Sequence, residues 1–185
     1  MPNNIDWNFI AKQEGRAILH GYVPQRDGEA IGASGVTVAS GFDLGQHDAD
    51  ELSNLSLSDD LITKLTPYLG LQKQDAIDYL NSNPLEISQD ECDQITNGED
   101  LMEYNSMERV YDKYSAIQFG SLTAEQQTVI MSVSYQYGSL AKETPHFWNA
   151  VTMQQWDKAV SMLRNFGDAY SNRRNEEADL LEGSL

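Results

Sequence analysis

The chain has 185 residues, a formal net charge of −17 and a single cysteine, Cys92, while 40% of it is hydrophobic. That length and apolar content suit one folded domain with its own core and exclude a disordered acidic tail. The charge excludes nonspecific nucleic-acid binding, which needs clustered Lys and Arg to release counterions. One cysteine excludes an internal disulfide, and no apolar stretch approaches the roughly 18 residues that span a bilayer.

In chain order, Ile5 to Leu19 has the amphipathic pattern of a first helix, ending around Lys12-Gln13-Glu14-Gly15-Arg16. From Gly21 to Gly45 glycine and proline punctuate short apolar runs. Tyr22-Val23-Pro24, Ala30-Ile31-Gly32 and Val36-Thr37-Val38-Ala39 read as strands, with turns at Asp27-Gly28 and Ser34-Gly35. Leu61, Ile62, Leu65 and Leu69 then follow helical spacing, with Pro67 as an early stop and Gly70 as a C-cap.

Ser88-Gln89-Asp90-Glu91, Thr123-Ala124-Glu125-Gln126 and Thr152-Met153-Gln154-Gln155 each match a capping box. They predict helices running through Tyr111, Tyr137 and Phe166, the first with a break point at Asn97-Gly98. Thr144-Pro145 opens a further helix, and the last runs from about Tyr170 to Leu181. The pattern predicts an α+β fold: a small β lobe at about 21–46, a larger helical lobe at about 56–185, and a first helix at about 5–19. All belong to a single domain spanning 1–185, with a cleft between the lobes.

Three residues stand out as a chemical set. Glu14 ends the first helix, while Thr37 and Asp43 lie in the glycine-punctuated β region. A carboxylic acid at a helix end with a second carboxylate on a small sheet is an arrangement that glycosidases use. One group protonates the leaving oxygen and the other serves a water molecule or the sugar carbon. Taken singly, each residue has a plainer reading: a helix-end carboxylate, a strand threonine and a turn-capping aspartate. Asp27 is the rival second carboxylate, but Asp27-Gly28 marks it as a turn residue. Alternation along an extended strand puts Thr37 and Asp43 on one face, with Ser40 pointing away unless Gly41 bends the chain.

The ordered set Glu14, Thr37 and Gly41-Phe42-Asp43-Leu44-Gly45 resembles the active-site segment of the pesticin-type muramidase domain. That family is a relative of the T-even phage lysozyme fold, where the order is Glu, Asp, Thr. The resemblance continues through Ser134-Tyr135-Gln136-Tyr137-Gly138 and Phe147-Trp148-Asn149, then Phe166-Gly167-Asp168-Ala169-Tyr170 and Arg173-Arg174-Asn175-Glu176-Glu177-Ala178. It implies a lysozyme-like fold and a peptidoglycan hydrolase that cleaves between N-acetylmuramic acid and N-acetylglucosamine. Glu14 would be the general acid, kept protonated by partial burial and the neighbouring carboxylate. Asp43 would stay ionised as base or stabiliser. Thr37 would hold the attacking water or orient Asp43.

Gln136 and Tyr137, beside Gly138, are candidate substrate-binding residues. Arg173 and Arg174 are expected in a structural ion pair across the lobes, with Glu177 a partner on the same helix. His20, His47 and His146 share no metal-ligand spacing, and no metal or other cofactor is expected. The expected partner is peptidoglycan, although the charge should repel acidic wall polymers at low ionic strength. The charge itself fits either plain solubility or docking on a basic partner such as an immunity protein. Nucleic acid and a membrane span are not expected, and the chain is taken as a monomer. The N-terminus lacks the basic and apolar regions of a signal peptide. The expectation is therefore a chain made in the cytoplasm that reaches the cell wall by release or delivery, as an endolysin or an antibacterial toxin domain does. The competing readings are a non-catalytic wall-binding module and a chitinase-like glycosidase.

Overall fold

The computed structural model describes residues 4–14 and 17–184, the side chain of Glu14 excepted. The described residues form an α+β structure, rich in helix, with small antiparallel sheets. The chain divides into two compact units, Met1–Glu14 with Glu103–Leu185, and Gly15–Met102.

The unit at 15–102 holds the strands. β1 (Ile18–Tyr22), β4 (Thr37–Ala39) and β5 (Phe42–Asp43) form an antiparallel sheet in the order β1-β4-β5, and β2 (Gln25–Arg26) pairs with β3 (Glu29–Ala30) as a separate hairpin. Asp27 and Gly28 connect β2 to β3 with φ of 55° and 86°, the double left-handed geometry of a tight hairpin turn. The first helix is shorter than its apolar pattern implied. α1 is Trp7–Glu14, and Ile18 to Tyr22 instead pair with β4, with Ile18 opposite Ala39 and Tyr22 opposite Thr37. A long-range sheet partner outweighs local helical periodicity there.

α2 (Ala49–Asn54), α3 (Asp59–Leu65) and α4 (Lys73–Ser82) follow in this same unit. Asp48 and Glu51 form a reciprocal capping box on α2. α3 stops at Leu65 and gives way to a 3₁₀ turn over Thr66–Tyr68, because Pro67 has no N–H to continue the ladder. The core of this unit gathers Val36, Val38, Phe42, Leu44, Leu61 and Leu65 around the sheet, all at most 1% exposed.

α5 (Gln89–Tyr114) starts at the expected Ser88–Glu91 capping box, with both reciprocal bonds formed (2.7 and 3.2 Å). It runs unbroken through Asn97-Gly98, against the expected break. Gly98 is tolerated inside the helix because the backbone of Leu55 lies against it. A Cβ there would meet the Leu55 carbonyl oxygen at 2.6 Å and its Cβ at 2.9 Å.

In the unit of 1–14 and 103–185 the central element is α6 (Ala124–Tyr137), capped by Thr123 and Gln126 as the sequence predicts. It is buried on every side from Gln126 to Ser134, the mark of a helix surrounded by others. α1, α7 (Leu140–Glu143) and α10 (Ser171–Glu182) pack on it. α8 (Pro145–Thr152) joins α7, and α9 (Trp156–Arg164) joins α8 and α10. Fully burying Ile130, Met131 or Val133 contributes about 1.5–3 kcal/mol each.

Pro145 occupies the first turn of α8 as expected. The capping box expected at Thr152 does not form. α8 ends at Thr152, whose hydroxyl donates back to the Trp148 carbonyl (2.9 Å), and α9 starts only at Trp156.

Gly98→Ala sets two effects against each other. Helix propensity favours alanine by about 1 kcal/mol, whereas overpacking in a tight contact costs about 1–3 kcal/mol. The contact with Leu55 is backbone and cannot yield cheaply, so the variant is expected to be less stable. A lowered urea midpoint at unchanged slope checks this; a raised midpoint contradicts it.

Candidate functional site

Thr37 and Asp43 stand directly opposite each other in the β4–β5 pair. Opposed residues of an antiparallel pair project to the same face, so the two do share one side of the sheet. Burial does not alternate along β4, where Thr37, Val38 and Ala39 are all buried. The hairpin closes over Ser40 and Gly41, and Ala39 and Gly41 take φ of 52° and 112°, so the chain bends there as a glycine permits.

The carboxylate of Asp43 is held by backbone. Oδ1 accepts from the N–H of Gly35 (3.0 Å) and of Gly45 (2.9 Å), and Oδ2 accepts from Gly35 at 3.2 Å. Asp43 thereby caps the 3₁₀ turn at Leu44–Gln46, so the turn-capping reading of this residue is realised in the geometry.

Two glycines make this clamp possible. A Cβ on Gly35 would lie 2.4 Å from the Leu71 carbonyl oxygen and 2.5 Å from the Cα of Gly45. A Cβ on Gly45 would lie 2.4 Å from the same oxygen. Any side chain would force the two segments apart and withdraw their amides from Asp43.

The hydroxyl of Thr37, only 3% exposed, donates to the carbonyl of Gly35 at 3.3 Å. Gly35 therefore ties both candidates, its N–H to Asp43 and its C=O to Thr37. Asp43 stays half-buried. Its Oδ2 has one backbone donor where Oδ1 has two, which leaves Oδ2 the oxygen with more room to accept another proton donor.

The backbone of Glu14 closes α1 in the helical unit, and its side chain lies outside the described residues. Asp27 is exposed at the tip of its hairpin, as its turn signature implies. His47 stacks on Phe42 at 4.4 Å, and among the described residues no group of three His, Cys, Asp or Glu side chains is arranged to hold a metal ion. Cys92 is buried and in no disulfide, and burial pushes its thiol above the usual value.

Gln136 and Tyr137 sit at the C-terminal end of α6, both half-buried. They are tied into a charged cluster that sequence reading located only in part. Arg174, 1% exposed, donates through Nη2 to the side-chain carbonyl of Gln136, and its Nη1 lies 2.7 Å from Oε2 of Glu177, which is fully buried. That contact lacks hydrogen-bond alignment, so its attraction is coulombic rather than directional. Arg174 Nε lies 3.4 Å from Asp168 Oδ2, which also accepts from the Tyr137 hydroxyl at 2.7 Å.

Arg173 pairs with Glu177 Oε1 (3.2 Å) and donates to the Ser132 carbonyl (2.7 Å), while the Ser132 hydroxyl donates to Glu177 (2.5 Å). The guanidinium of Arg174 also lies over the rings of Phe166 (5.0 Å) and Tyr137 (5.8 Å). The i,i+3 and i,i+4 spacing of Glu177 from Arg174 and Arg173 was the legible signal. Ser132 and Asp168 carried none, being 45 and 6 residues from their partners' positions in the chain.

Burial drives the electrostatics of this cluster. It raises the Glu177 carboxyl, while Arg174, Ser132 and Arg173 pull the other way, and it lowers the Arg174 guanidinium. Tyr137 is pushed up to about 12, first by burial and then by its bond to the Asp168 carboxylate. Removing one member of such a pair costs about 3–5 kcal/mol, because a buried charge is left uncompensated.

The model of a protein family described as Pesticin, bacterial toxin homologue of phage lysozyme, C-terminal, matches residues 4–157. No curated protein matches the chain. The matched span includes Glu14, Thr37, Asp43, Gln136 and Tyr137 and stops before Arg173.

The Tyr137 phenol predicts an alkaline signature. Its folded value of about 12 lies above the ordinary 10, so its contribution to stability is complete below pH 10 and is lost as pH rises toward 12. The stability gap between wild type and Tyr137→Phe should therefore shrink from pH 10 upward. Urea midpoints of both proteins across that range check it; a gap that widens with pH contradicts the assignment.

Proposed function

Because the chain belongs to the Pesticin family, the bacterial toxin homologues of phage lysozyme, we propose that it is an N-acetylmuramidase. In this reading it cleaves the β-1,4 bond between N-acetylmuramic acid and N-acetylglucosamine in peptidoglycan. Family membership supports a glycoside hydrolase of lysozyme-like fold, and the α+β structure with its small antiparallel sheet accords with that. The observation that carries the residue assignment is the clamp on Asp43. A carboxylate fixed by two backbone N–H groups, one of them shared between its oxygens, with a threonine paired directly opposite, has little freedom to reorient during a reaction.

In the proposed mechanism Glu14 is the general acid that protonates the leaving glycosidic oxygen. Asp43 acts through Oδ2, the less occupied oxygen, as base toward a water molecule or as stabiliser of the oxocarbenium-like transition state. Thr37 acts as a positioning residue. Its hydroxyl anchors the Gly35 peptide that holds Asp43, and its oxygen retains acceptor capacity for the water. Inversion is the proposed stereochemical course. Gln136 and Tyr137 would offer the amide NH₂ and the ring edge to the saccharide, their carbonyl and hydroxyl being already engaged. Delivery to the cell wall as an endolysin or toxin domain, and neutralisation by a basic immunity protein, complete the proposal; the net charge of −17 favours a basic partner.

The test is hydrolysis of purified peptidoglycan by wild type, Glu14→Gln and Asp43→Asn, with fragments reduced by borohydride and weighed by mass spectrometry. The expected outcome is fragments with a reducible muramic acid end. Both variants should lose at least 10²-fold in rate, the lower range for a positioned acid or base, in samples that urea unfolding shows to be folded under the assay conditions. Loss in Glu14→Gln alone would move the second role to Asp27. Binding to the sacculus without release of fragments would favour the wall-binding module, and cleavage of chitin oligomers alone would favour a chitinase.

A further inference from the structure

The two peptides that clamp Asp43 are themselves held at their carbonyl ends by one short segment, residues 70–73. An amide N–H lies in the same rigid plane as the carbonyl of the preceding residue. The Gly35 N–H therefore moves with the Ser34 carbonyl, and the Gly45 N–H with the Leu44 carbonyl. Both carbonyls accept from the segment: Lys73 N–H reaches Ser34 at 2.9 Å, and Gly70 N–H reaches Leu44 at 3.1 Å. The His47 N–H also meets the Leu44 carbonyl, at 3.3 Å. Each amide on Asp43 is thus the second link of a hydrogen-bonded chain. Such chains polarise their peptides and strengthen each link.

One side chain joins them. Gln72 Nε2 donates to the Gly45 carbonyl at 2.8 Å, across 27 positions of the chain. Gly45 then has its N–H fixed by Asp43 and its C=O fixed by Gln72, so it cannot turn without breaking a bond. Gln72 is the N-cap residue of α4, where a polar side chain ordinarily bonds to its own helix, and it makes no such bond. Its backbone instead pairs with Gly35 as an isolated antiparallel bridge.

Lys73 adds a local cost. It takes φ of 56°, a left-handed conformation that a residue with a β-carbon keeps only where its surroundings impose it. In that conformation its N–H is the donor to the Ser34 carbonyl, and so to the peptide that serves Asp43. The plainer role for these bonds is to latch the start of α4 onto the strand-bearing unit. Their addresses say more, because Ser34, Leu44 and Gly45 are the residues whose peptides carry or adjoin both amides on the carboxylate.

We propose that Gln72 is a positioning residue for Asp43, a role that rests on the muramidase reading above. By anchoring the Gly45 carbonyl it keeps the Gly45 N–H on Oδ1 and leaves Oδ2 aimed at the reacting sugar or its water. Residues 70–73 are the fixed backing against which this alignment is set. A carboxylate that drifts from its reacting position loses rate rather than substrate affinity.

The experiment measures kcat and KM on soluble peptidoglycan glycan chains, using full-length protein that urea unfolding shows to be folded. Wild type is compared with Gln72→Met, Gln72→Ser, Asp43→Asn and the double variant Gln72→Met with Asp43→Asn. Methionine keeps the length of glutamine and loses the donor. Serine loses the reach to Gly45 but is a better N-cap, so it supports the start of α4 while releasing the peptide. Both Gln72 variants should lower kcat about ten-fold, the upper end for the net worth of one hydrogen bond, at unchanged KM. In the Asp43→Asn background Gln72→Met should cost nothing further, since a residue that acts through Asp43 has nothing left to align. The Gly45 amide of ¹⁵N-labelled Gln72→Ser should also exchange with solvent deuterium faster than in wild type.

Wild-type kcat in Gln72→Ser, beside an inactive Asp43→Asn, overturns the proposal and leaves the muramidase reading standing. An equal loss in both Asp43 backgrounds also overturns it, because a general loosening of the fold does not depend on Asp43. A wild type that cleaves no glycan, or an Asp43→Asn variant at full rate, overturns the underlying reading and the proposal with it, without reference to any Gln72 variant.

Discussion

The contact of the Asp43 carboxylate with the amides of Gly35 and Gly45 organises the strand-bearing unit. One short side chain satisfies the start of a 3₁₀ turn, links the segment before β4 to the segment after β5, and fixes the face on which Thr37 stands opposite. The constraint behind it is steric. Gly35, Gly45 and the Leu71 carbonyl converge so closely that no Cβ fits on either glycine. Bringing three backbone segments this near buries polar groups, and those groups need partners. Asp43 supplies acceptors for two of the donors, and the Gly35 carbonyl is met by Thr37. A candidate catalytic carboxylate is thus also a structural keystone, so an activity loss in Asp43→Asn has to be read beside a stability measurement.

The helical unit reaches order by a different route. α6 is wrapped on all sides, and at its C-terminal end the enclosure includes charge: Arg174 and Glu177 are buried together, with Arg173, Asp168, Ser132 and Gln136 around them. Such a cluster is a poor source of net stability, since desolvation offsets most of the attraction. Its effect is positional. It sets where Gln136, Tyr137 and the 166–170 segment stand, because each has a directed bond to a group with few alternatives. The same unit leaves Trp148 Nε1, Gln127 Oε1 and parts of the Arg174–Glu177 pair without a hydrogen-bond partner among the described residues, so contact in this core is not always directed bonding.

Much of this was legible in the chain of residues. Local signals with a local mechanism came through: the capping boxes at Ser88 and Thr123, Pro145 at a helix start, Pro67 at a helix stop, and the Asp27-Gly28 turn. Each depends on dihedral preferences or on bonds within about four residues. The misreadings have the opposite character. Ile18 to Tyr22 became a strand because β4 was available to pair, Gly98 remained helical because Leu55 lay against it, and the Thr152 box failed because Thr152 closes α8, its hydroxyl donating to the Trp148 carbonyl.

The sequence by itself determined the α+β class and the family, and singled out Glu14, Thr37 and Asp43 as candidates, because residue type, order and spacing carry that information directly. It also determined the acidic charge. Only the tertiary structure decided what holds Asp43, which of its oxygens remains open, and that Thr37 binds Gly35 rather than the carboxylate. It alone joined Ser132, Gln136 and Asp168 to the arginines, and left Trp148 with a donor facing no acceptor among the described residues. Those outcomes depend on which distant backbone and side-chain atoms arrive within 3 Å or so of one another, a property of packing that no local pattern of residues encodes.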